Sequence, residues 1–294
     1  MRPSSTWFLL ALAATLLPAQ QPAPTPAPAD DPAKLSFMQY DPPSTLRVSE
    51  HPVPRAKFPF VDVHSHQFDL TEAEVRTLVA EMDKLNMGVM VNLSGRGFRS
   101  VTGPDGVERF GLNGPEYLRV MIALTERLAP GRIVHFTNVD FSRVGAPDWP
   151  AAALAELEAD VAAGARGLKI YKSLGMDTVD AAGRRIAVDD ARLAPIWATC
   201  ARLGIPVLIH TADPAPFWQP KDKNNERLYE MIEVPGRWRD PAENVPWEQL
   251  IAEQHNLFRA NPRTTFLAAH LGWLGNDLGR LGKLLDEAPN VMPE

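Results

Sequence analysis

Residues 58–66 read Phe-Pro-Phe-Val-Asp-Val-His-Ser-His, and this stretch decides the fold. Alternation of apolar and polar residues is typical of a β-strand, whose side chains point in turn to its two faces. Asp62, His64 and His66 therefore share one face, and Val61 and Val63 share the other. The glycine-rich turn that follows the first strand of a doubly wound dinucleotide-binding sheet is missing here. The stretch instead predicts a buried strand that ends in two histidines.

Strand-like and helix-like segments alternate along the rest of the chain. The first helix is predicted to start at a capping box of Thr71 and Glu74 and to end at Gly88. The predicted strands are 58–64, 89–93, 133–141, 167–171, 206–210 and 265–270, with a seventh opening at 290–292. The later helices are predicted at 115–128, 150–163, 189–203, 246–260 and 276–287.

This alternation predicts βαβ units around a parallel sheet. We predict an α/β fold, a TIM-type (β/α)8 barrel. Six such units are complete in the chain, so the barrel is expected to lack its last two strands.

Composition excludes several classes of protein. The 294 residues carry 30 basic and 36 acidic side chains, for a net charge of −6. A nucleic-acid-binding protein normally carries a basic stripe, so no nucleic-acid partner is expected. The single cysteine, Cys200, excludes an intramolecular disulfide framework and a cysteine-based zinc site.

The first 57 residues differ in character from the rest. Residues 1–19 combine Arg2, an apolar run and a small residue after it, which predicts a secretory signal peptide and a secreted or periplasmic protein. The apolar run is shorter than the roughly 20 residues that span a bilayer, so no stable membrane anchor is expected. Residues 20–57 form a proline-rich linker and N-terminal extension, and the barrel domain is predicted at 58–294.

Four of the seven histidines end predicted strands, namely His64, His66, His210 and His270. The carboxyl ends of barrel strands carry the catalytic groups, because the βα loops open there. Two imidazoles two residues apart on one strand can bind the same metal ion, whereas a buried pair without metal needs other hydrogen-bond partners. The pattern predicts a divalent-metal site. The histidines at 51, 135 and 255 are assigned to structure.

The Val-Asp-Val-His-Ser-His strand and the histidines after strands five and six resemble the amidohydrolase superfamily of metal-dependent hydrolases. Within it, the chain most resembles the amidohydrolase-related branch that includes aminocarboxymuconate-semialdehyde decarboxylase. The resemblance implies that His64, His66 and His210 bind a divalent metal, usually zinc, and that His270 activates water or transfers a proton. The family completes its site with an aspartate after strand eight, and this sequence, which ends at Glu294, has no counterpart.

The fourth predicted strand adds a lysine. Residues 167–172 read Gly-Leu-Lys-Ile-Tyr-Lys, and their alternation turns Lys169 and Tyr171 inward. Lys169 has three interpretations. In the first, it corresponds to the carboxylated lysine that bridges two metals in binuclear members of the superfamily. In the second, it is a cation for a substrate carboxylate, and in the third, it is an ion-pair partner of Asp62.

Two long segments interrupt the pattern after strands two and five, at 94–114 and 213–245. Loops of this length in a compact domain are usually functional lids or disordered. The second is rich in aromatic residues, which favours a lid over a small-molecule substrate, with Trp218, Arg237 and Trp238 as candidate contacts. Packing on the barrel rim, or a subunit contact in a homo-oligomer, is the alternative.

Three hypotheses for function follow. The first is a metal-dependent hydrolase in which activated water attacks an ester, lactone or amide carbon. The second is a non-oxidative decarboxylase of an aromatic or unsaturated carboxylic acid that uses the same metal site. The third is an inactive, truncated barrel, whose unpaired strand edges would favour aggregation.

Overall fold

The computed structural model describes residues 40–49, 51–102 and 108–294. The chain divides into two compact units, Met1–Pro52 and Val53–Glu294. The described residues of the first unit are exposed and form neither helix nor strand. The predicted signal peptide at 1–19 and the linker up to residue 39 lie outside the described residues, so export stays a prediction. In the part of the chain that is described, no helix is long and apolar enough to cross a membrane.

The second unit alternates strands and helices, as predicted. Its strands are β1 (Phe60–Ser65), β2 (Met87–Asn92), β3 (Phe98–Thr102), β4 (Glu108–Leu112), β5 (Ile133–His135), β6 (Leu168–Ile170), β7 (Val207–Ile209), β8 (Phe266–Ala268) and β9 (Val291–Pro293). Its helices are α1 (Glu72–Leu85), α2 (Pro115–Leu128), α3 (Trp149–Ala162), α4 (Ser173–Met176), α5 (Ala194–Leu203), α6 (Leu228–Glu233), α7 (Trp247–Ala260) and α8 (Leu278–Glu287).

Parallel pairing runs in chain order through the unit. Strand β2 lies between β1 and β5, and β6, β7, β8 and β9 form a second parallel sheet. An isolated parallel bridge between Thr137 and Leu168 joins the two sheets. The α/β fold with parallel barrel-type strands is therefore confirmed. No pairing between β9 and β1 closes the barrel within the described residues.

Strand β5 is shorter than the predicted strand at 133–141, and the segment after His135 bonds to the strands on both sides. Phe136 N donates to Asn92 O, whereas Thr137 N donates to Gly167 O. Successive residues of a strand turn their N–H groups to alternate sides, so these two bonds tie the segment both to β2 and to the residue before β6.

Two local predictions differ from the structure. The capping box of Thr71 and Glu74 forms as predicted, but α1 ends at Asn86, whose φ of 67° is left-handed, and not at Gly88. Asparagine tolerates this conformation, and Gly88 is left inside β2. The segment at 94–114, where the sequence predicts a loop, contains the antiparallel hairpin of β3 and β4.

The largest apolar cluster lies between the second sheet and its covering helices, where Leu157, Trp197, Phe258 and Phe266 are buried. A smaller cluster joins side chains of different strands and strand ends, namely Val91, Leu93, Phe136, Leu208 and Ala269. Cys200 is buried in the larger cluster, as expected of a structural cysteine.

Gly167 allows the ring of Phe136 to pack against the backbone before β6. A Cβ at residue 167 would lie 2.4 Å from the Phe136 ring. We expect Gly167→Ala to lower the free energy of unfolding by about 1–3 kcal/mol, because the ring must shift inside a packed core. Gly282→Ala is the control, since a Cβ there meets nothing within 4 Å. Urea unfolding of both variants tests this, and equal stabilities would contradict it.

His135 is a buried, structural histidine, as predicted. Its Nε2 lies 3.0 Å from Thr125 Oγ1 and its Nδ1 lies 3.5 Å from Asn92 Nδ2. Burial lowers the pKa of His135 from 6.5 to about 4. The folded state thus holds the neutral ring at pH values where the unfolded chain takes up a proton.

This pKa shift makes stability depend on pH. Because the unfolded state binds more protons between pH 6.5 and 4, the free energy of unfolding falls as the pH is lowered through that window. We expect the free energy of unfolding of His135→Gln to decrease by roughly 3 kcal/mol less than that of the wild type as the pH is lowered. Urea unfolding at pH 7 and pH 4.5 measures it, with the exposed His51→Gln as control. An unchanged pH dependence in His135→Gln would refute the assignment.

Candidate active site

The four strand-end histidines come together at one rim of the sheet. The ring centroids of His64 and His66 lie 5.5 Å apart, those of His64 and His270 lie 5.2 Å apart, and those of His210 and His270 lie 4.6 Å apart. They come from three strands, because His64 and His66 end β1 while His210 follows β7 and His270 follows β8. Residues more than 140 positions apart in sequence are thereby gathered in one cluster.

Backbone contacts hold these histidines in place. The carboxylate of Asp62 accepts from His64 N at 2.9 Å where the register of β1 shifts. His210 N donates to Ile170 O at 3.0 Å, which ties it to β6. His270 has a φ of 57° and begins a left-handed turn that continues through Trp273. A left-handed backbone at several consecutive residues is costly, and such strain concentrates at functional sites.

The electrostatic surroundings keep the rings of His66, His210 and His270 neutral. Burial lowers the pKa of His66 to about 4, and the nearby charges of Lys169 and His64 add to the effect. Burial is the main cause that holds the pKa of His210 far below its usual value, and the charge of Lys169 is the next. Burial and His64 also lower the pKa of His270. Neutral imidazole is the form that donates a lone pair to a metal or accepts a proton.

Glu294 adds a carboxylate that the sequence analysis missed. Its Oε1 lies 2.5 Å from His64 Nδ1, and its backbone oxygen accepts from Leu271 N at 2.7 Å. Burial raises the pKa of the Glu294 carboxyl, but the hydrogen bond with His64 and the charges of His64, His270 and Lys169 together outweigh this and hold the pKa below its usual value. The position of Glu294 in the sequence could have revealed this role, because Glu294 directly follows β9 and parallel strands end at the same rim.

Lys169 lies beneath this cluster with its ammonium group unsatisfied. The residue is 1% exposed, and within the described residues its Nζ has no hydrogen-bond partner. Burial lowers the pKa of Lys169 to about 8, although Glu294 opposes the shift. The predicted alternative of an ion pair with Asp62 does not form in the described part of the chain, since the Asp62 carboxylate accepts from His64 N.

Aromatic rings lie beside the histidines. The hydroxyl of Tyr171 donates to Leu93 O at 2.9 Å, and its ring centroid is 6.0 Å from that of His66. Phe68 and Phe98 join this group, and the ring of Trp273 lies 4.7 Å from that of His270. Sequence analysis named Tyr171 alone, because nothing in the local pattern separates Phe68, Phe98 or Trp273 from core aromatics.

The predicted substrate contacts of the second long loop bond within that loop. Trp218 Nε1 donates to Val245 O at 2.8 Å, and Trp238 Nε1 donates to Gln219 O at 3.2 Å. Arg237 pairs with Glu230. Within the described residues, the polar and ring contacts of these three side chains are made to residues other than the histidines. Their role as substrate contacts stays a prediction.

Other residues of the same segment lie nearer to the rim. Asp213, three positions after His210, accepts from Lys172 Nζ at 2.6 Å. Its backbone oxygen accepts from Trp247 Nε1 at 3.0 Å. Arg239 Nη2 approaches the same carboxylate at 3.9 Å. Asp213 thus holds two cations beside the histidine cluster.

A buried ion pair positions the loop that brings Phe98 to the site. Arg96 Nε and Nη2 donate to Asp160 Oδ2 at 3.1 and 2.8 Å, and both residues are buried. Thr137 Oγ1 donates to the same oxygen at 2.5 Å. Gly95 has a φ of 56° and lies so close to Asn138 that a Cβ would stand 1.9 Å from its Oδ1. The path of this loop is therefore tightly constrained.

The donor set has the composition of a divalent-metal site. It holds neutral imidazoles and a carboxylate, and the buried Nε2 of His210 has no hydrogen-bond partner among the described residues. A metal site needs at least three side chains whose ligand atoms face one point. Among the described residues, no group of three histidine, cysteine, aspartate or glutamate side chains has this arrangement. The residues fit a metal by chemistry, and side-chain rotation would have to bring their nitrogens together.

The sequence model of the amidohydrolase family matches residues 61–294. No curated protein matches the sequence. Among solved structures, 4-oxalomesaconate hydratase from Rhodopseudomonas palustris is 14% identical with a TM-score of 0.47, and the match covers 80% of this chain and 73% of that one. The 2,6-dihydroxybenzoate decarboxylase from Rhizobium is 15% identical with a TM-score of 0.43, with 77% and 70% covered.

A TIM-barrel protein from Bordetella bronchiseptica is 16% identical with a TM-score of 0.44, and the match covers 74% of this chain. The chain spans 58% of that protein's length and 57% of the length of an amidohydrolase from Mycobacterium avium, less than two thirds in each case. The family match covers most of the chain and includes all four clustered histidines. This chain belongs to the amidohydrolase family.

Proposed function

We propose that this protein is a metal-dependent hydrolase of a small-molecule ester, lactone or amide. In this proposal His64, His66 and His210 hold a divalent metal, with zinc the expected ion, and His270 transfers the proton. The observation that carries it is the gathering of four imidazoles from three strand ends, at ring-centroid distances of 4.6 to 5.5 Å. A divalent metal at this site acts as a Lewis acid and lowers the pKa of water toward neutrality.

The chain's own residues prepare the ligands. The Glu294 carboxylate accepts a hydrogen bond from His64 Nδ1, which places the proton on that nitrogen and leaves the lone pair on Nε2. Hydrogen bonding of this kind orients a metal-binding imidazole and raises its basicity. His210 Nε2 is buried without a partner in the described residues, so a ligand there would satisfy it.

His270 is the candidate for proton transfer. It is exposed at the rim, and its lowered pKa leaves the ring uncharged at neutral pH, ready to accept a proton. The ring of Trp273 packs against it at 4.7 Å and holds it beside His210.

Lys169 favours one alternative, a non-oxidative decarboxylase of an aromatic or unsaturated acid. That reaction needs a cation near the substrate carboxylate, and the buried Nζ of Lys169 has no partner in the described part of the chain. Release of carbon dioxide from hydroxybenzoates, against hydrolysis of an ester, lactone and amide panel, separates the two reactions.

Metal removal tests the proposed function. We expect zinc titration by calorimetry to show stoichiometric binding to the full chain, and His210→Ala to weaken it at least about tenfold, because a ligand is lost. Activity should disappear with dipicolinate and return with zinc. His51→Ala, a change at an exposed histidine, is the matched control. Full activity in metal-free protein would overturn the proposal.

Glu294 yields a second expected outcome. Glu294→Gln should weaken zinc binding by about 10–100-fold, because the neutral amide no longer supports the basicity of His64. Glu287→Gln is the control, since Glu287 pairs with Arg259 instead. Equal zinc affinity of the Glu294→Gln variant and the wild type would show that the carboxylate does not assist His64.

A further inference from the structure

We propose that the buried amide of Gln254 is a positioning group for His270, and that it acts through a second arrangement of the left-handed turn at 270–273. In that arrangement a peptide group of the turn hydrogen-bonds the Gln254 amide, and the turn holds the His270 ring where it transfers a proton. This inference rests on the proposed function in assigning proton transfer to His270. It deepens that function by naming the residue that sets the position of the ring.

Gln254 lies in helix α7 at a position where the helical repeat favours an apolar side chain. The apolar residues three and four positions away on either side are buried on the same face of α7, namely Leu250, Ile251, Leu257 and Phe258. Gln254 is itself 0% exposed, and within the described residues neither its Oε1 nor its Nε2 has a hydrogen-bond partner. Burial of such an amide lowers the stability of the fold, so core packing does not explain its presence.

The Gln254 amide lies directly against the turn that carries His270. A Cβ built on Gly272 would stand 3.0 Å from Gln254 Oε1 and 3.9 Å from its Cδ. Gly272 is buried, and its lack of a side chain allows the amide to approach the backbone this closely. The amide and the turn are therefore neighbours, although in the described residues no hydrogen bond joins them.

The turn itself has an unfavourable backbone conformation. The four residues 270–273 have φ values between 56° and 60°, and three of them are not glycine. Side chains other than glycine disfavour this left-handed conformation, and it persists only where other contacts hold it. Two backbone bonds do so here, because Leu271 N donates to Glu294 O at 2.7 Å and Leu274 N donates to Leu271 O at 3.1 Å.

A change in the backbone of this turn resolves both unfavourable features. Rotation of a peptide group beside Gly272 turns its N–H or C=O toward the Gln254 amide and relieves the left-handed strain. His270 begins the turn and Trp273 ends it, and their rings lie 4.6 Å and 5.8 Å from the ring of His210. The same rotation therefore moves both rings against His210, which couples Gln254 to the histidine cluster.

This coupling links the turn to metal binding. Among the described residues, no three donor side chains face one point, so the cluster must move to bind a metal. Because the turn contacts His210 through two rings, the arrangement of the turn and the geometry of the ligands change together. Coupled equilibria are reciprocal, so a hydrogen bond that stabilises the second arrangement also strengthens zinc binding.

Amide hydrogen exchange of the metal-free full chain tests the second arrangement without reference to zinc. Conversion of the turn breaks the bonds of the Leu271 and Leu274 amides, which can then exchange. Gln254→Met keeps roughly the size of the side chain and removes its polar atoms, so we expect exchange at these two amides to slow about fivefold. A change in global stability alone would instead alter the Phe266 amide, which donates to Asn290 O and reports on the sheet.

Stability and zinc affinity of the same variant should change in opposite directions. Gln254→Met should raise the midpoint of urea unfolding of the metal-free protein, because an unpaired buried amide is removed. It should nevertheless weaken zinc binding about fivefold in calorimetric titration, because the second arrangement loses its hydrogen bond. Gln249→Met is the matched control, since Gln249 is exposed on the same helix and bonds Glu253.

Gly272→Ala tests the turn from the other side of the contact. Alanine at a φ of 59° is strained, and its Cβ would crowd the Gln254 amide at 3.0 Å, so the observed turn is destabilised. We expect exchange at the Leu271 and Leu274 amides to become faster in this variant. Gly275→Ala is the control, since a Cβ there makes an ordinary contact at 3.5 Å.

The outcomes separate this proposal from the proposed function. Slowed exchange in Gln254→Met, in a protein whose wild type binds no zinc, would support the second arrangement and refute metal-dependent hydrolysis. Zinc binding by the wild type, with unchanged exchange and unchanged zinc affinity in Gln254→Met, would overturn the positioning role and leave the metal site standing. A lowered unfolding midpoint with unchanged exchange in Gln254→Met would also overturn it, because the amide would then be paired in the observed arrangement.

Discussion

Parallel pairing of strands in chain order is the constraint on which the rest of this structure depends. Because β1, β2, β5 and the four later strands run in the same direction, their carboxyl ends open at one rim. The four histidines and Glu294 lie at or just beyond such an end. His64, His210, His270 and Glu294 are near neighbours for this reason alone, although no short sequence motif joins them.

The same rim also contains local structure that lowers the stability of the fold. A left-handed turn holds His270, and a buried ammonium group at Lys169 has no partner within the described residues. Each feature costs stability, and the surrounding contacts must offset that cost. The packed cluster behind the second sheet and the buried pair of Arg96 with Asp160 supply such support at a distance from the histidines.

Much of the framework could be predicted from periodicity. The bounds of the helices at 115–128 and 246–260 were close to those of α2 and α7, because apolar spacing and proline at or just before the helix start are local signals. The end of α1 at Asn86 was missed, since a glycine nearby is the commoner signal. The β3–β4 hairpin was missed because its short strands lie in a glycine-rich segment that resembles a loop.

The sequence by itself determined the succession of strands and helices, the strand-end position of the histidines, and through them the family. These features repeat along the chain, so neighbouring residues suffice to reveal them. Only the tertiary structure decided that Glu294 meets His64, that Lys169 has no partner in the described residues, and that Phe68 and Phe98 border the site. Such contacts join residues far apart in the chain, and they exist only once parallel pairing brings the loops to one rim.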